Sequence, residues 1–168
     1  MNYKKDTHKA KEPFPLKYPE KYHKAAKPPL FKSGWEAQVF HALDINPYVI
    51  EWGYEPFPIY YHNPIYMNFT IYWPDIYCHI QMDSGAQHKI LAEIKPAKYC
   101  MMPKKPNPPK DQDPKKWDRY RKSMVRFKSD SKDYMVNMAK WEAAQRWCQK
   151  NGMIWRVLNE KNTNTLFK

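Results

Sequence analysis

Two acidic residues and a lysine have the types and spacing that metal-assisted hydrolysis requires. Glu93 and Lys95 interrupt the apolar stretch ILAEIKP at residues 90–96, and Asp75 lies eighteen residues before Glu93. Residues two apart in a β-strand face the same side, so Glu93 and Lys95 would project together while apolar residues line the other face. Charged side chains are rarely buried without a partner, so this polar face predicts a functional site.

A tight turn is predicted to bring Asp75 next to Glu93. The segments 66–82 and 88–96 are rich in β-branched and aromatic residues, and the sequence DSG at 83–85 favours a turn between them. A hairpin centred on this turn places Asp75 nearly opposite Glu93, where paired Cβ atoms lie within about 5.5 Å. Two carboxylates at that separation repel each other unless a positive charge lies between them.

Mg²⁺ is the predicted cofactor, with Mn²⁺ as the alternative, because Mg²⁺ binds carboxylate oxygens, water and substrate phosphate. Such a metal lowers the pKa of a bound water and stabilises charge on a scissile phosphate. Lys95 would orient or deprotonate that water, or offset negative charge in the transition state. Glu36 is a candidate third carboxylate. It also completes an S-x-x-E capping box with Ser33, and the two roles are compatible.

The elements that must position these residues follow from apolar periodicity and from turn signals. Ser33 is a helix N-cap, Asn46-Pro47 ends that helix, and Asn151-Gly152 ends a second helix. The predicted order is helix, three-stranded antiparallel meander, helix and strand, an α/β (α+β) arrangement. The predicted strands are 48–61, 66–82, 88–96 and 153–159, and the second helix covers about 131–150.

The net charge of +12 is concentrated in two proline-rich segments. Residues 1–32 and residues 100–130 each carry an excess of six positive charges, and the rest of the chain is neutral. We therefore predict a basic extended arm (1–32), a folded domain (33–160) with a basic insertion (100–130), and a C-terminal tail (161–168). Such segments indicate a polyanionic partner, most commonly nucleic acid, although the charge could also only keep proline-rich chain soluble.

Other features limit the class of protein. No run approaches eighteen apolar residues, so no membrane span is predicted. Four glycines form no phosphate-binding loop, which argues against nucleoside triphosphate hydrolysis. The three cysteines have no paired spacing, which argues against disulfides or structural zinc and favours a reducing, cytosolic compartment: Cys78, Cys100 and Cys148.

Several short motifs together resemble a known family. Pro74-Asp75 and Glu93-Ile94-Lys95, in this order of elements, resemble the PD-(D/E)xK nuclease superfamily with its restriction-endonuclease-like fold. SGWE at 33–36, the YWPD and LAEIKP segments and NMAKWEAA at 137–144 resemble the head completion nucleases of tailed phages. The resemblance implies a protein that acts late in capsid assembly and trims packaged DNA before the tail joins. The resemblance covers about residues 30–160.

The resemblance implies a role for individual residues. It makes Glu36, Asp75 and Glu93 metal ligands and Lys95 the catalytic lysine. Lys140, with Asn137 one helical turn before it, would contact phosphate, although an exposed helical lysine is usually only solvated. The basic insertion contributes the remaining predicted DNA contacts, which are Lys104, Lys105, Lys115, Lys116, Arg119 and Arg121.

The same resemblance implies a biological setting. Phage portal or neck proteins are the expected protein partners, and the host cytoplasm or the virion is the expected location. Two other functions remain open at this point. One is a structural neck protein that retains the fold, and the other is a junction-resolving or transposon-end-cleaving nuclease.

Overall fold

The structure of the protein is a computed structural model that describes residues 12–31 and 33–162. Within these residues the chain forms eight strands and two α-helices, which confirms the predicted mixed α/β class. The elements are β1 (Glu12–Pro13), β2 (Leu30–Phe31), α1 (Gly34–Ile45), β3 (Val49–Tyr54), β4 (Ile59–Asn63), β5 (Asn68–Tyr72), β6 (Ile76–Gln81), β7 (Gln87–Ile94), α2 (Pro114–Lys150) and β8 (Ile154–Leu158).

Helix α1 begins and ends where the capping signals predict. The Ser33 hydroxyl accepts a hydrogen bond from the Glu36 backbone N–H at 3.2 Å, which satisfies one of the N-terminal donors that a helix leaves unpaired. Asn46 adopts an extended conformation before Pro47 and closes the helix.

The central sheet has the strand order β3-β6-β7-β8. Strands β3, β6 and β7 pair antiparallel, and β8 pairs parallel to β7. The turn between β6 and β7 lies at the predicted place, with Gly85 at φ 81°. Positive φ costs glycine little because it has no Cβ.

The predicted three-strand meander is wrong in one respect, because a hairpin interrupts it. The segments 48–61 and 66–82 each form two strands, and β4 and β5 pair in a separate two-stranded sheet. Three features explain the breaks. Glu55 has φ 45° and is followed by Pro56 and Pro58, and Pro74 follows β5. Proline cannot donate to a strand ladder, so central strands end there.

The central sheet carries a hydrophobic core on each face. One core combines α1 with side chains of β3, β6 and β7, among them Ile90, Ala92 and Ile94. The other combines the β4–β5 hairpin and the C-terminal half of α2 with Tyr77 and Leu91. The predicted apolar face of β7 is therefore confirmed. The face that carries Glu93 is not only polar, because it also carries the buried Leu91 and is covered by α2.

Helix α2 is longer than predicted. It contains 37 residues, about 55 Å at 1.5 Å per residue, and starts at Pro114 rather than near residue 131. Proline is tolerated at the first helical position, and the Asp113 carboxylate caps the helix by accepting the Lys115 N–H at 2.9 Å. All its buried residues lie from Asn137 onward, so the N-terminal half projects beyond the sheet. Within the described residues, neither helix has a stretch apolar enough to cross a bilayer.

Residues 12–31, which we name the strap, are packed on the domain and do not form the predicted extended arm. The Phe14 ring contacts Phe40 edge-on with the centroids 5.7 Å apart, and Tyr22 contacts Trp52 in the same way at 4.9 Å. A Cβ at Gly53 would lie 2.6 Å from the Ala26 Cβ, so the strap requires glycine there. The rest of the predicted arm and most of the predicted tail, residues 1–11, 32 and 163–168, lie outside the described residues.

Candidate active site

Asp75 and Glu93 lie side by side where β6 begins and β7 ends, on the two inner strands of the central sheet, as the hairpin register predicts. The β6–β7 ladder pairs Ile76 with Ala92, so the next position pairs Asp75 with Glu93. The Asp75 Oδ2 atom accepts the Ile94 backbone N–H at 2.8 Å, which ties this carboxylate to the neighbouring strand. The first requirement of a shared ion site is therefore met.

The Glu93 carboxylate is buried and has a partner that the sequence did not identify. Glu93 is 8 % exposed, and its Oε2 atom accepts a hydrogen bond from the Tyr72 hydroxyl at 2.6 Å. Burial and the charge of Glu93 raise the pKa of Tyr72 far above its ordinary value, so this hydroxyl keeps its proton and remains a donor. The only sequence signal for Tyr72 was its position in the YWPD segment. The β4–β5 hairpin that places Tyr72 beside Glu93 was not predicted.

The two carboxyl groups resist ionising together. Burial raises the pKa of Asp75 well above its usual range, and the nearby charge of Glu93 raises it further. The hydrogen bond from the Ile94 backbone N–H lowers this pKa, but by less. Burial also raises the pKa of Glu93, while the Tyr72 hydroxyl, Lys95 and then Lys140 oppose that effect. A pair of this kind holds negative charge that a bound cation would neutralise.

Two lysines flank Glu93 from different elements. Lys95 follows the end of β7, and its backbone N–H donates to the Leu158 carbonyl at 2.8 Å, which fixes the chain there. Lys140 lies on the face of α2 that covers the sheet, with its Nζ 5.4 Å from the centroid of the Tyr72 ring. Asn137, on the same helical face, is 8 % exposed. The structure places Lys140 beside the carboxylate pair, and its contact with phosphate stays a prediction.

Glu36 is close to the pair but does not complete a ligand cluster with it. Its charge contributes to the raised pKa of Asp75, after the contribution of Glu93. Among residues 12–31 and 33–162, no group of three or more histidine, cysteine, aspartate or glutamate side chains is arranged to hold a metal ion. The physical reason is that α1 packs on the opposite face of the sheet from the face that Glu93 occupies. The prediction of a three-carboxylate ligand set is therefore not supported.

A further carboxylate, that of Glu55, lies near Asp75 and was missed by the sequence analysis. The Glu55 backbone N–H donates to the Asp75 carbonyl at 3.0 Å, and the charge of Glu55 adds to the raised pKa of Asp75. Its side chain accepts hydrogen bonds from Lys27 and from the Tyr54 hydroxyl, each at 2.6 Å. These partners make Glu55 a structural link between the strap and the site.

The residues present fit a hard divalent cation held by few protein ligands. Mg²⁺ is usually bound through one or two carboxylates, with water and substrate phosphate completing an octahedron. Asp75 and Glu93 supply two such carboxylates, and their mutual repulsion favours binding of the cation. No dedicated protein cage is required for this mode of binding.

The predicted DNA-binding residues fall into two groups. Asn137 and Lys140 lie beside the carboxylate pair, whereas the first turns of α2 are about 30–40 Å away along the helix axis. Two of the distant basic side chains form ion pairs, Lys116 with Asp111 at 2.6 Å and Arg121 with Asp118 at 3.7 Å. The distant group comprises Lys115, Lys116, Arg119 and Arg121, while Lys104 and Lys105 lie in the irregular segment that precedes α2.

Comparison with known proteins identifies the family of the chain. The family described as TnsA-like endonuclease N terminal matches residues 46–160, which include β3 to β8 and the carboxylate pair. The head completion nuclease of Enterobacteria phage T4 is 32% identical over 146 residues, which cover 87% of this chain and 88% of that protein. No solved structure matches the chain. The chain therefore belongs to the head completion nuclease family and contains a TnsA-like endonuclease domain of the restriction-endonuclease-like superfamily.

Proposed function

We propose that the protein is a Mg²⁺-dependent deoxyribonuclease that hydrolyses phosphodiester bonds beside Asp75 and Glu93. The observation that supports this most directly is the pair itself, two desolvated carboxyl groups of raised pKa on adjacent strands, with lysines from β7 and α2 beside them. Membership of a nuclease family gives the reaction class. Metal dependence follows from the chemistry of the donor set.

Each side chain has a distinct role in this proposal. Asp75 and Glu93 would hold the ion, and the Ile94 N–H and the Tyr72 hydroxyl fix the orientation of their oxygens. Mg²⁺, or Mn²⁺ in its place, would lower the pKa of a bound water and neutralise charge on the scissile phosphate. Lys95 orients or deprotonates the attacking water, or offsets the negative charge that develops in the transition state.

We assign the biological role by similarity to the phage T4 relative, which is named for head completion. In this role the enzyme trims packaged DNA before the tail joins, in the host cytoplasm or on the virion, beside portal or neck proteins. A structural neck protein with the same fold would not cleave DNA. A plasmid cleavage assay with Mg²⁺, and with EDTA as control, therefore separates the two functions.

A nuclease with another task is the second candidate, because the matching family is that of the TnsA-like endonucleases. Such an enzyme would resolve junctions or cleave transposon ends. A panel of branched, linear and supercoiled substrates separates these activities. Strong preference for a four-way junction would contradict a trimming role.

The distant basic group on α2 is expected to position duplex DNA through phosphate contacts. The span of about 30–40 Å from Lys140 to the first turns of α2 is close to one helical turn of DNA, about 34–36 Å. Replacing Lys115, Lys116, Arg119 and Arg121 together by alanine should weaken duplex binding at all sequences. The slope of log affinity against log salt should fall by about 0.9 for each phosphate that the variant no longer neutralises.

Fluorescence anisotropy in EDTA over a range of salt concentrations measures this slope. Lys89→Ala is the matched control, because Lys89 is an exposed lysine at the far end of β7 from the site. An unchanged slope in the fourfold variant would assign duplex positioning to another surface.

Removal of the Tyr72 hydroxyl should shift the pH dependence of cleavage. This hydroxyl is the strongest of the groups that oppose the effect of burial on Glu93, so Tyr72→Phe raises the pKa of Glu93. Metal binding needs the ionised carboxylate, so the acidic limb of the rate profile should move to higher pH. Tyr61→Phe is the control, because the Tyr61 ring also lies near Lys140 and its hydroxyl interacts with Asn63 instead. Coincident acidic limbs for Tyr72→Phe and wild type would contradict the role of Tyr72.

A further inference from the structure

A groove of about 830 Å³ lies between the segment that follows β7 and the projecting half of α2. One wall consists of residues 98–106, and the other is the face of α2 from Ser123 to Asn137. These fifteen helical positions extend about 21 Å at 1.5 Å per residue. None of the side-chain roles proposed so far uses this groove.

One end of the groove is lined by close sequence neighbours of the two lysines beside the catalytic pair. Lys98 lies three residues beyond Lys95, and Asn137 lies one helical turn before Lys140. Lys95 and Lys140 are the two lysines whose charge acts on Glu93. A chain that occupies the groove would therefore extend toward the site of hydrolysis.

The side chains that line the groove combine aromatic rings with positive charges. Tyr99, Phe127 and Tyr134 contribute rings, and the Tyr99 side chain is 43% exposed. Lys98 and Lys104 contribute ammonium groups on the wall opposite α2. Aromatic stacking surfaces beside a basic track are the features by which proteins bind single-stranded nucleic acid.

The acidic residues of the groove orient such a strand. Asp130 and Asp133 lie on the α2 wall with Phe127 and Tyr134. Carboxylates repel phosphates but accept hydrogen bonds from the exocyclic amino groups of bases. The bases would therefore face α2 at Asp130 and Asp133, and the phosphates would face Lys98, Lys104 and Arg126, the cation that α2 contributes to the groove lining.

The size of the groove suits a single strand of nucleic acid. Its volume lies within the 300–1,000 Å³ typical of sites for small ligands, which is room for a few nucleotides of one strand. We propose that the groove holds an unpaired DNA strand next to the catalytic pair, so that the preferred substrate is a strand end or a single-stranded overhang. This proposal rests on the proposed nuclease function and specifies its substrate.

Binding of a single strand in EDTA tests the groove without requiring cleavage. The probe is a fluorescein-labelled strand of about 12 nucleotides, within the usual site size for such proteins. Phe127→Leu keeps apolar volume and removes the ring, so affinity should fall about 5-fold or more, the decrease expected for one stacked base. Phe127→Trp should retain wild-type affinity. Tyr66→Leu, at an exposed ring on the β4–β5 hairpin, is the control and should not change it.

Cleavage of overhang and blunt duplexes tests the substrate preference. With Mg²⁺, wild type should cleave a duplex that carries a single-stranded overhang about 10-fold faster than the blunt duplex, and Phe127→Leu should lose this preference. Equal strand affinity of wild type and Phe127→Leu, with melting temperatures unchanged, would overturn the groove proposal even if DNA is cleaved. Strand binding that depends on Phe127, without cleavage of any DNA, would contradict the nuclease function and leave the groove as a strand site.

Discussion

Asp75→Asn and Glu93→Gln should each lower the rate of DNA cleavage by about 10²-fold or more, the decrease typical when a group that stabilises developing charge is removed. Both substitutions preserve side-chain volume, and the amide oxygen that Asp75→Asn introduces can still accept the Ile94 N–H. DNA affinity in EDTA should change little, because the phosphate contacts lie on other residues. Single-turnover cleavage with Mg²⁺, beside anisotropy in EDTA, measures both quantities.

The same substitution at Asp75 should stabilise the metal-free protein. Because burial and Glu93 raise the pKa of Asp75 in the folded state, the wild type loses stability as pH rises from the ordinary carboxyl range through that raised pKa. Asp75→Asn removes this loss, so its melting temperature in EDTA should exceed that of the wild type at neutral pH. A gain of about 1 kcal/mol corresponds to about 2–4 °C for a domain of this size. The difference should vanish in acid, where the wild-type pair is protonated.

Addition of Mg²⁺ provides a readout that is independent of cleavage. A ligand that binds only the folded state raises its stability, so Mg²⁺ should raise the melting temperature of the wild type more than that of Asp75→Asn. Glu142→Gln, an exposed carboxylate on α2, is the matched control and should behave as wild type. Full cleavage activity in Asp75→Asn, or activity that EDTA does not affect, would remove the proposed mechanism.

The sequence predicted the position of the carboxylate pair because the pair depends on local rules. Side chains in strands alternate, and the turn at 83–85 fixes which residues face each other, so residues 75 and 93 had to meet. The N-cap of α1 at Ser33 and the end of α2 at Asn151 are likewise set by residues within one turn of each boundary. Such features need no knowledge of distant contacts.

The parts that sequence reasoning missed depend on contacts between distant segments or lack a periodic pattern. The projecting half of α2 has no apolar stripe, because nothing in the sheet packs on it, and its polar residues did not predict a helix. Tyr72 reaches Glu93 only because the β4–β5 hairpin folds over the sheet. The strap has no regular element longer than three residues, and its aromatic side chains gave no periodicity.

Asp44→Ala should destabilise the fold by about 2–4 kcal/mol, the cost of leaving two backbone N–H groups without an acceptor. Asp44 lies on α1 with 1% exposure, and its carboxylate accepts the backbone N–H groups of Lys17 at 2.7 Å and Tyr18 at 3.3 Å. It is thus the buried anchor of the strap. Thermal unfolding should show a fall of about 4–16 °C in the melting temperature.

Asp44→Asn is the matched variant, because its amide oxygen keeps one acceptor and should preserve a larger part of the stability than alanine does.

The outcome also decides between two functions for residues 12–31. A strap that packs on the Trp52 side chain stabilises the folded core, so Asp44→Ala should lower the melting temperature. An arm that only clamps DNA would give a different result, with an unchanged melting temperature and weaker binding. That result would restore the prediction from charge alone and contradict the packing of the strap.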